Sequence, residues 1–204
     1  TYRREPSFTV AIARDPAFNF MYEANIRYLH HLGEVTYFSP LADTSLPDAG
    51  FVYLPGGYPE LYLAALSANR LMLQSIRRYV ENGGKLLAEC GGMMYLCDEI
   101  RDKNGDVYPM AGVLHQSATM ENMKLRLGYR TLLYNDARLK GHEFHYSRLV
   151  EQQDPLPSCA VAYTAKGVET DTPLYHYKNV WAGYTHLYWA DPAGNDWFTK
   201  FIIK

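Results

Sequence analysis

Only three cysteines occur in 204 residues, Cys90, Cys97 and Cys159, and no two of them stand in a Cys-x-x-Cys spacing. That odd, unpaired count argues against a disulfide framework and against a cysteine zinc site, and it suits a reducing cytoplasm. Long apolar runs are missing too, so no segment reads as a bilayer-spanning helix, and residues 1–6, Thr-Tyr-Arg-Arg-Glu-Pro, are no signal peptide. They read instead as the cut end of an interdomain linker. Neither sign of charge is in excess: 20 Lys+Arg against 22 Asp+Glu leave a net charge of −2. A chain without a basic face is a poor nucleic-acid binder. A phosphate loop is also absent. Gly83-Gly84-Lys85 is the only Gly-Gly-Lys, and it lacks the upstream glycine and the following Ser or Thr that cradle phosphates.

What is present is an ordinary globular composition, 48% hydrophobic and 21% charged. The length fits one α/β domain over residues 8–204 behind a linker remnant, residues 1–7. In the first half, strand and helix patterns alternate. Residues 8–13, 35–38, 51–54 and 85–88 read as strands; 22–32, 59–67 and 69–81 read as helices, with glycines at the stops. Such alternation implies a mostly parallel sheet covered on both faces, with ligands beyond the carboxyl ends of its strands. The second half is richer in strands. Asn104-Gly105 predicts a hairpin, and 129–134, 143–150, 159–164 and 180–187 read as further strands before a terminal helix from about residue 195.

The strongest local signal is Ala88-Glu89-Cys90-Gly91-Gly92, where a buried strand gives way through a cysteine to a helix. That is the geometry of a nucleophile elbow, whose tight turn needs small residues two before and two after the nucleophile, here Ala88 and Gly92. The thiol would meet a helix N-terminus, which favours the thiolate. Cys97, expected inside the following helix, and Cys159 read as small buried hydrophobes. A thiol acting on a carbonyl also needs a base and oxyanion donors. Gly56-Gly57 ends a strand with unshielded amides, and Gly91 follows the nucleophile directly. Among seven histidines, His30-His31 read as a surface pair, and His115 and His176 have nothing around them to argue from. His142 and His145 have a metal-like spacing but no third ligand nearby. His186 closes a strand at a carboxyl edge and is best placed to face Cys90.

Four strings together resemble one family: Leu54-Pro55-Gly56-Gly57-Tyr58-Pro59-Glu60, Ala88 to Gly92, Gly141-His142-Glu143-Phe144-His145-Tyr146-Ser147, and Tyr184-Thr185-His186-Leu187. The family is the class I glutamine amidotransferase domain of cobyrinic acid a,c-diamide synthase, and the similarity runs along nearly the whole chain. The resemblance implies a flavodoxin-like three-layer α/β fold. It places the nucleophile on Cys90, its activating histidine on His186, and the oxyanion donors on Gly57 and Gly91. Glutamine would be hydrolysed through a cysteine thioester, and the ammonia passed on for ATP-dependent amidation of the a and c acetates of cobyrinate in cobalamin biosynthesis. ATP and Mg2+ would belong to an N-terminal synthetase domain absent from this chain, and this domain would hold no cofactor or metal of its own. That synthetase domain is the expected partner, a cytoplasmic setting is expected, and pairing of two copies is left open. Class I enzymes usually carry His-x-Glu, with the carboxylate orienting the imidazole; here Tyr188 stands in that place. Glu143 is a candidate orienting or substrate-contacting residue. Two other readings fit the same residues: the same glutaminase serving another tetrapyrrole such as nickel-sirohydrochlorin, or a catalytically silent docking module.

Overall fold

A computed structural model describes residues 8–203, so the expected linker remnant, residues 1–7, lies outside the described residues. The first half forms β1 (Thr9–Ala13), α1 (Glu23–Leu32), β2 (Glu34–Phe38), β3 (Phe51–Leu54), α2 (Leu63–Ala68), α3 (Arg70–Glu81), β4 (Leu86–Glu89) and α4 (Gly91–Leu96). Next come β5 (Cys97–Arg101), β6 (Val107–Pro109), β7 (Leu114–Thr119), β8 (Arg126–Tyr134), β9 (Ala137–His145) and β10 (Arg148–Leu149). Then follow β11 (Val161–Thr164), β12 (Glu169–Thr170), β13 (Leu174–Tyr177), β14 (Val180–Gly183), β15 (His186–Tyr188) and α5 (Pro192–Trp197), continued by a π-helical turn, Phe198–Ile203.

The central sheet runs β13-β14-β4-β3-β1-β2, parallel throughout except for the edge pair β13–β14. Its middle strands are buried on both faces, which is why β3 reads as an unbroken apolar run. Alternation along β3 divides the core in two. Val52 and Leu54 pack with Met72, Ile76 and Val80 of α3, while Phe51 and Tyr53 pack with Leu29 of α1 and with Trp189, Trp197 and Phe198. Helices on both faces of a parallel sheet make the expected three layers. The α3 residues recur every three or four positions, and Asn69 caps the helix by accepting from the Met72 amide at 3.4 Å.

Two further sheets account for the strand-rich second half: β10-β7-β5-β6, and β12-β11-β8-β9-β15. Several boundaries differ from the sequence reading. The predicted helix over 59–67 is a 3-10 turn, Pro59–Leu61, followed by α2, and the predicted strand over 143–150 is the end of β9 and then β10 in another sheet. Cys97 opens β5 rather than sitting inside a helix, although it is fully buried as expected, and Cys159 is exposed rather than buried. The long strand β9 starts at Ala137, six residues before the predicted start, because its hairpin with β8 turns at Asn135 with a φ of +50°. The terminal helix starts at Pro192, where Asp191 caps it by accepting from Gly194 at 2.7 Å. The predicted strand over 180–187 is two strands in two sheets. β14 lies parallel to β4, whereas β15 pairs antiparallel with β9, so the chain leaves the central sheet at Gly183 and re-enters another at His186. That crossing positions the candidate site. No helix among the described residues is long and apolar enough to cross a membrane.

Candidate active site

Cys90 sits between β4 and α4 with φ 51° and ψ −108°. Non-glycine residues rarely take a positive φ, and holding one costs roughly 1–3 kcal/mol. The surrounding structure fixes it. The Cys90 amide donates to the Gly183 carbonyl at 2.7 Å, and its own carbonyl accepts from Met94 at 3.0 Å. The elbow needs a small residue at position 92, since a Cβ there would lie 2.2 Å from the Leu54 carbonyl oxygen. The thiol points to the Phe144 carbonyl of β9 at 3.6 Å.

His186 reaches the same place from the other side of the crossing. It is the cross-strand partner of His142, two residues from Phe144, and the two imidazoles stack at 4.9 Å with 20° between planes. Phe20 packs edge-on against the His186 ring at 4.6 Å, and Tyr22 bonds His142 Nδ1. Gly56 floors the ring: a Cβ there would stand 2.2 Å from His186 Cε1. Gly57, next along, lies against Gly91, with its amide nitrogen 3.3 Å from where a Gly91 Cβ would be. Its φ of +154° and a 2.2 Å approach to the Ala17 carbonyl leave room only for glycine. Cys90, His186, Gly57 and Gly91, separated in sequence by up to 129 positions, thus gather where β3, β4 and β14 end.

The electrostatics differ from the expectation of a resting thiolate. Cys90 is 4% exposed and His186 5% exposed. Burial pushes the Cys90 thiol well up, and the charges of Glu60, Glu89 and Glu143 add to the shift. The Gly91 amide alone pulls the other way. A helix of six residues that sits inside the core offers too little positive potential to offset that desolvation. Burial, aided by His142 and His145, lowers His186 to about 3. Both shifts favour the uncharged forms, thiol and imidazole.

Glu143 is not bonded to His186. Its Oε2 accepts from Arg130 Nε at 2.8 Å and from the Thr172 hydroxyl at 2.7 Å. Its Oε1 meets His145 Nε2 at 2.7 Å and Arg126 Nε at 3.2 Å. Neighbours on β9 point to opposite faces, so with His142 against His186 the Glu143 side chain is turned away. Burial raises its carboxyl, but His145, Thr172 and Arg126 together bring it down to about 2. Glu143 lines a cavity of about 950 Å³ with Arg126, His145, Ser147, Thr172 and Tyr184. His186 Nδ1 is buried and has no hydrogen-bond partner.

Three side chains at the site were not singled out from the sequence. Glu60 has a buried Oε2 without a partner and is the largest charge acting on Cys90. Glu89 and Asn25 are fully buried and bond the backbone around Leu187. Glu89 stands beside the nucleophile in the elbow string, but nothing in a linear pattern says that a carboxylate there points inward.

Residues 9–194 match the CobB/CobQ-like glutamine amidotransferase domain. The chain belongs to that family. It is 41% identical over 185 residues to cobyrinate a,c-diamide synthase of Fusobacterium nucleatum, covering 88% of this chain and 41% of that protein. It is 39% identical over 185 residues to hydrogenobyrinate a,c-diamide synthase of Pseudomonas aeruginosa, covering 88% and 41%. With cobyrinate a,c-diamide synthase of Clostridium acetobutylicum it shares 36% identity over 211 residues, covering 98% and 46%. The chain therefore spans less than half the length of these curated relatives. Among solved structures, PurLQS from Thermotoga maritima superposes with a TM-score of 0.59 at 18% identity, covering 89% of this chain and 88% of that one. A glutamine amidotransferase from the same organism gives 0.56 at 13% identity, covering 91% and 77%. At those identities they establish the shared fold. The predicted class I amidotransferase α/β architecture is therefore observed.

Proposed function

We propose that this amidotransferase domain hydrolyses glutamine at Cys90 and supplies the ammonia for ATP-dependent a,c-diamidation of a cobyrinate-type ring by a partner synthetase domain. The observation that carries the reading is the positive-φ Cys90 at a strand–helix elbow, joined to Gly57, Gly91 and His186 in a chain of this family. His186 takes the Cys90 proton as the sulfur attacks the side-chain carbonyl carbon of glutamine. The Gly57 and Gly91 amides face the resulting oxyanion. The imidazolium gives its proton to the departing nitrogen, which leaves as ammonia. The neutral ring then deprotonates a water that opens the thioester, releasing glutamate and restoring the thiol. At 4% exposure the thiol is shut off from bulk water at rest, so attack requires the residues around it to open to glutamine.

The acceptor is drawn from the relatives, which are named for cobyrinate and for hydrogenobyrinate. Near-equal identities to the two leave the ring's cobalt outside what this glutamine-handling domain reads. Activation of the ring carboxylates, with its ATP and Mg2+, is assigned to the partner domain, and Glu143 is retained as a substrate-contacting candidate through its cavity. A silent docking module has no support in the site, where Cys90 and His186 are both in place.

The test is covalent labelling with 6-diazo-5-oxo-norleucine followed by peptide mass spectrometry. An adduct on Cys90 is expected, lost in Cys90→Ala and kept in Cys97→Ala. A wild-type chain that takes no label at Cys90 would overturn the reading.

A further inference from the structure

Among the described residues, none holds the His186 ring through Nδ1. Nδ1 is buried without a partner, and the residue two positions on is Tyr188 rather than a carboxylate. The backbone beside the ring is held instead. In the antiparallel pairing of β15 with β9, successive residues point their N–H and C=O alternately toward and away from the partner strand. Leu187, opposite Gly141, turns its groups away, and both find buried side chains. Its carbonyl accepts from Asn25 Nδ2 at 2.8 Å, and Asn25 Oδ1 accepts from Trp189 N at 2.9 Å. Its amide donates to Glu89 Oε2, while Glu89 Oε1 accepts from the Tyr53 hydroxyl. One 1%-exposed carboxyl therefore ties the residue before the nucleophile to the residue after the histidine, across 98 positions of sequence.

We propose that Glu89 is the positioning residue for His186, setting the imidazole against Cys90 by anchoring the Leu187 amide. This rests on the Cys90–His186 glutaminase reading. A generic core contact would satisfy a buried amide anywhere along a strand; this one joins the two neighbours of the reacting pair. The anchor lies in the hydrogen bond that Glu89 accepts from Leu187 rather than in its charge. Burial lifts its carboxyl to about 8 even though Tyr53 and Leu187 hold it down, which favours the uncharged acid. A glutamine side chain has the same shape and keeps the bond accepted from Leu187, with its amide donating to the Tyr53 oxygen in reversal of the Tyr53–Glu89 bond. Aspartate keeps the carboxyl but withdraws it by one methylene from Leu187.

The experiment measures labelling of the 204-residue chain by 6-diazo-5-oxo-norleucine in wild type, Glu89→Asp, Glu89→Gln and Cys90→Ala, separating the maximal labelling rate from the half-saturating concentration. A ring displaced by about 1 Å should slow the reacting step by about 10²-fold. Glu89→Asp is expected to lower the maximal rate by ten- to a hundredfold with the half-saturating concentration within threefold of wild type, and Glu89→Gln to restore most of the rate. A folded Glu89→Asp with the wild-type rate would overturn the inference, as would a Glu89→Gln as slow as Glu89→Asp. Should Glu89→Asp fail to fold, the Glu89→Gln result alone still decides, since a loss beyond tenfold in a folded Gln variant refutes hydrogen-bond anchoring. Wild type without Cys90-dependent labelling would overturn the glutaminase reading itself.

Discussion

Replacing Gly56 by alanine tests the site at its tightest point. The new Cβ would fall 2.2 Å from His186 Cε1, 2.9 Å from Nδ1 and 3.3 Å from Nε2, so all three contacts are to the ring of the proposed base. Ordinary carbon contacts lie near 3.7 Å, which asks the ring to retreat by about 1.5 Å. Two packed rings limit that retreat. His142 is stacked on it at 4.9 Å and Phe20 meets it at 4.6 Å. Overpacking of this kind costs about 1–3 kcal/mol, a fall in melting temperature of roughly 2–12 °C for a chain of this size. The larger effect should be chemical, since misplacing a catalytic group by 1 Å costs about 10²-fold in rate. Glutamate release, or the maximal rate of Cys90 labelling, is therefore expected to drop by about two orders of magnitude at a temperature where the variant is folded. Gly50→Ala serves as control, because its Cβ meets nothing closer than 3.5 Å. A folded Gly56→Ala within threefold of wild type would refute both the placement of His186 and its role.

Glu143→Ala removes the carboxylate from the buried Arg130, whose side chain is only 7% exposed. It should cost about 3–5 kcal/mol in a urea titration, because an unpaired buried guanidinium remains. Buried groups give stability opposing pH dependences: Glu89, at about 8 when folded against 4.5, binds its extra proton in the folded state and adds stability as pH drops from 8 towards 4.5, whereas His186 and Glu143 act the other way. The unfolded chain protonates histidine near pH 6.5, while folded His186 resists down to about 3, so the unfolded state binds the extra proton and stability falls as pH drops through that window. Glu143, at about 2 when folded against 4.5, adds a second loss below pH 4.5, in the same direction. Denaturant midpoints against pH check this: between pH 6.5 and 4.5 the Glu89 and His186 contributions oppose, so His186→Gln should gain stability relative to wild type as pH falls through that stretch. Cys97, fully buried with its thiol donating to the Met93 carbonyl at 3.5 Å, should react with a neutral thiol reagent only after unfolding, whereas exposed Cys159 reacts in the native state. A mass-resolved labelling time course distinguishes them.

The sequence alone fixed the local events. Strand runs such as 51–54 and the periodic α3 face appear where expected, because a doubly buried parallel strand and an amphipathic helix each leave a one-dimensional trace. The elbow was legible for the same reason: a strand, a cysteine between small residues and a helix are contiguous. Tertiary structure decided what depends on partners far along the chain. The break between Gly183 and His186 has no signal in an apolar run, because it exists only where one stretch pairs first with β4 and then with β9. The shift of the Cys90 thiol runs upward rather than downward for a similar reason. Helix position is local, but desolvation is set by everything packed around the sulfur. The carboxyl partners follow the same rule: Glu143 meets Arg130, His145 and Thr172 and Glu89 meets the Leu187 amide because of strand pairing and facing, and neither is written in the order of residues.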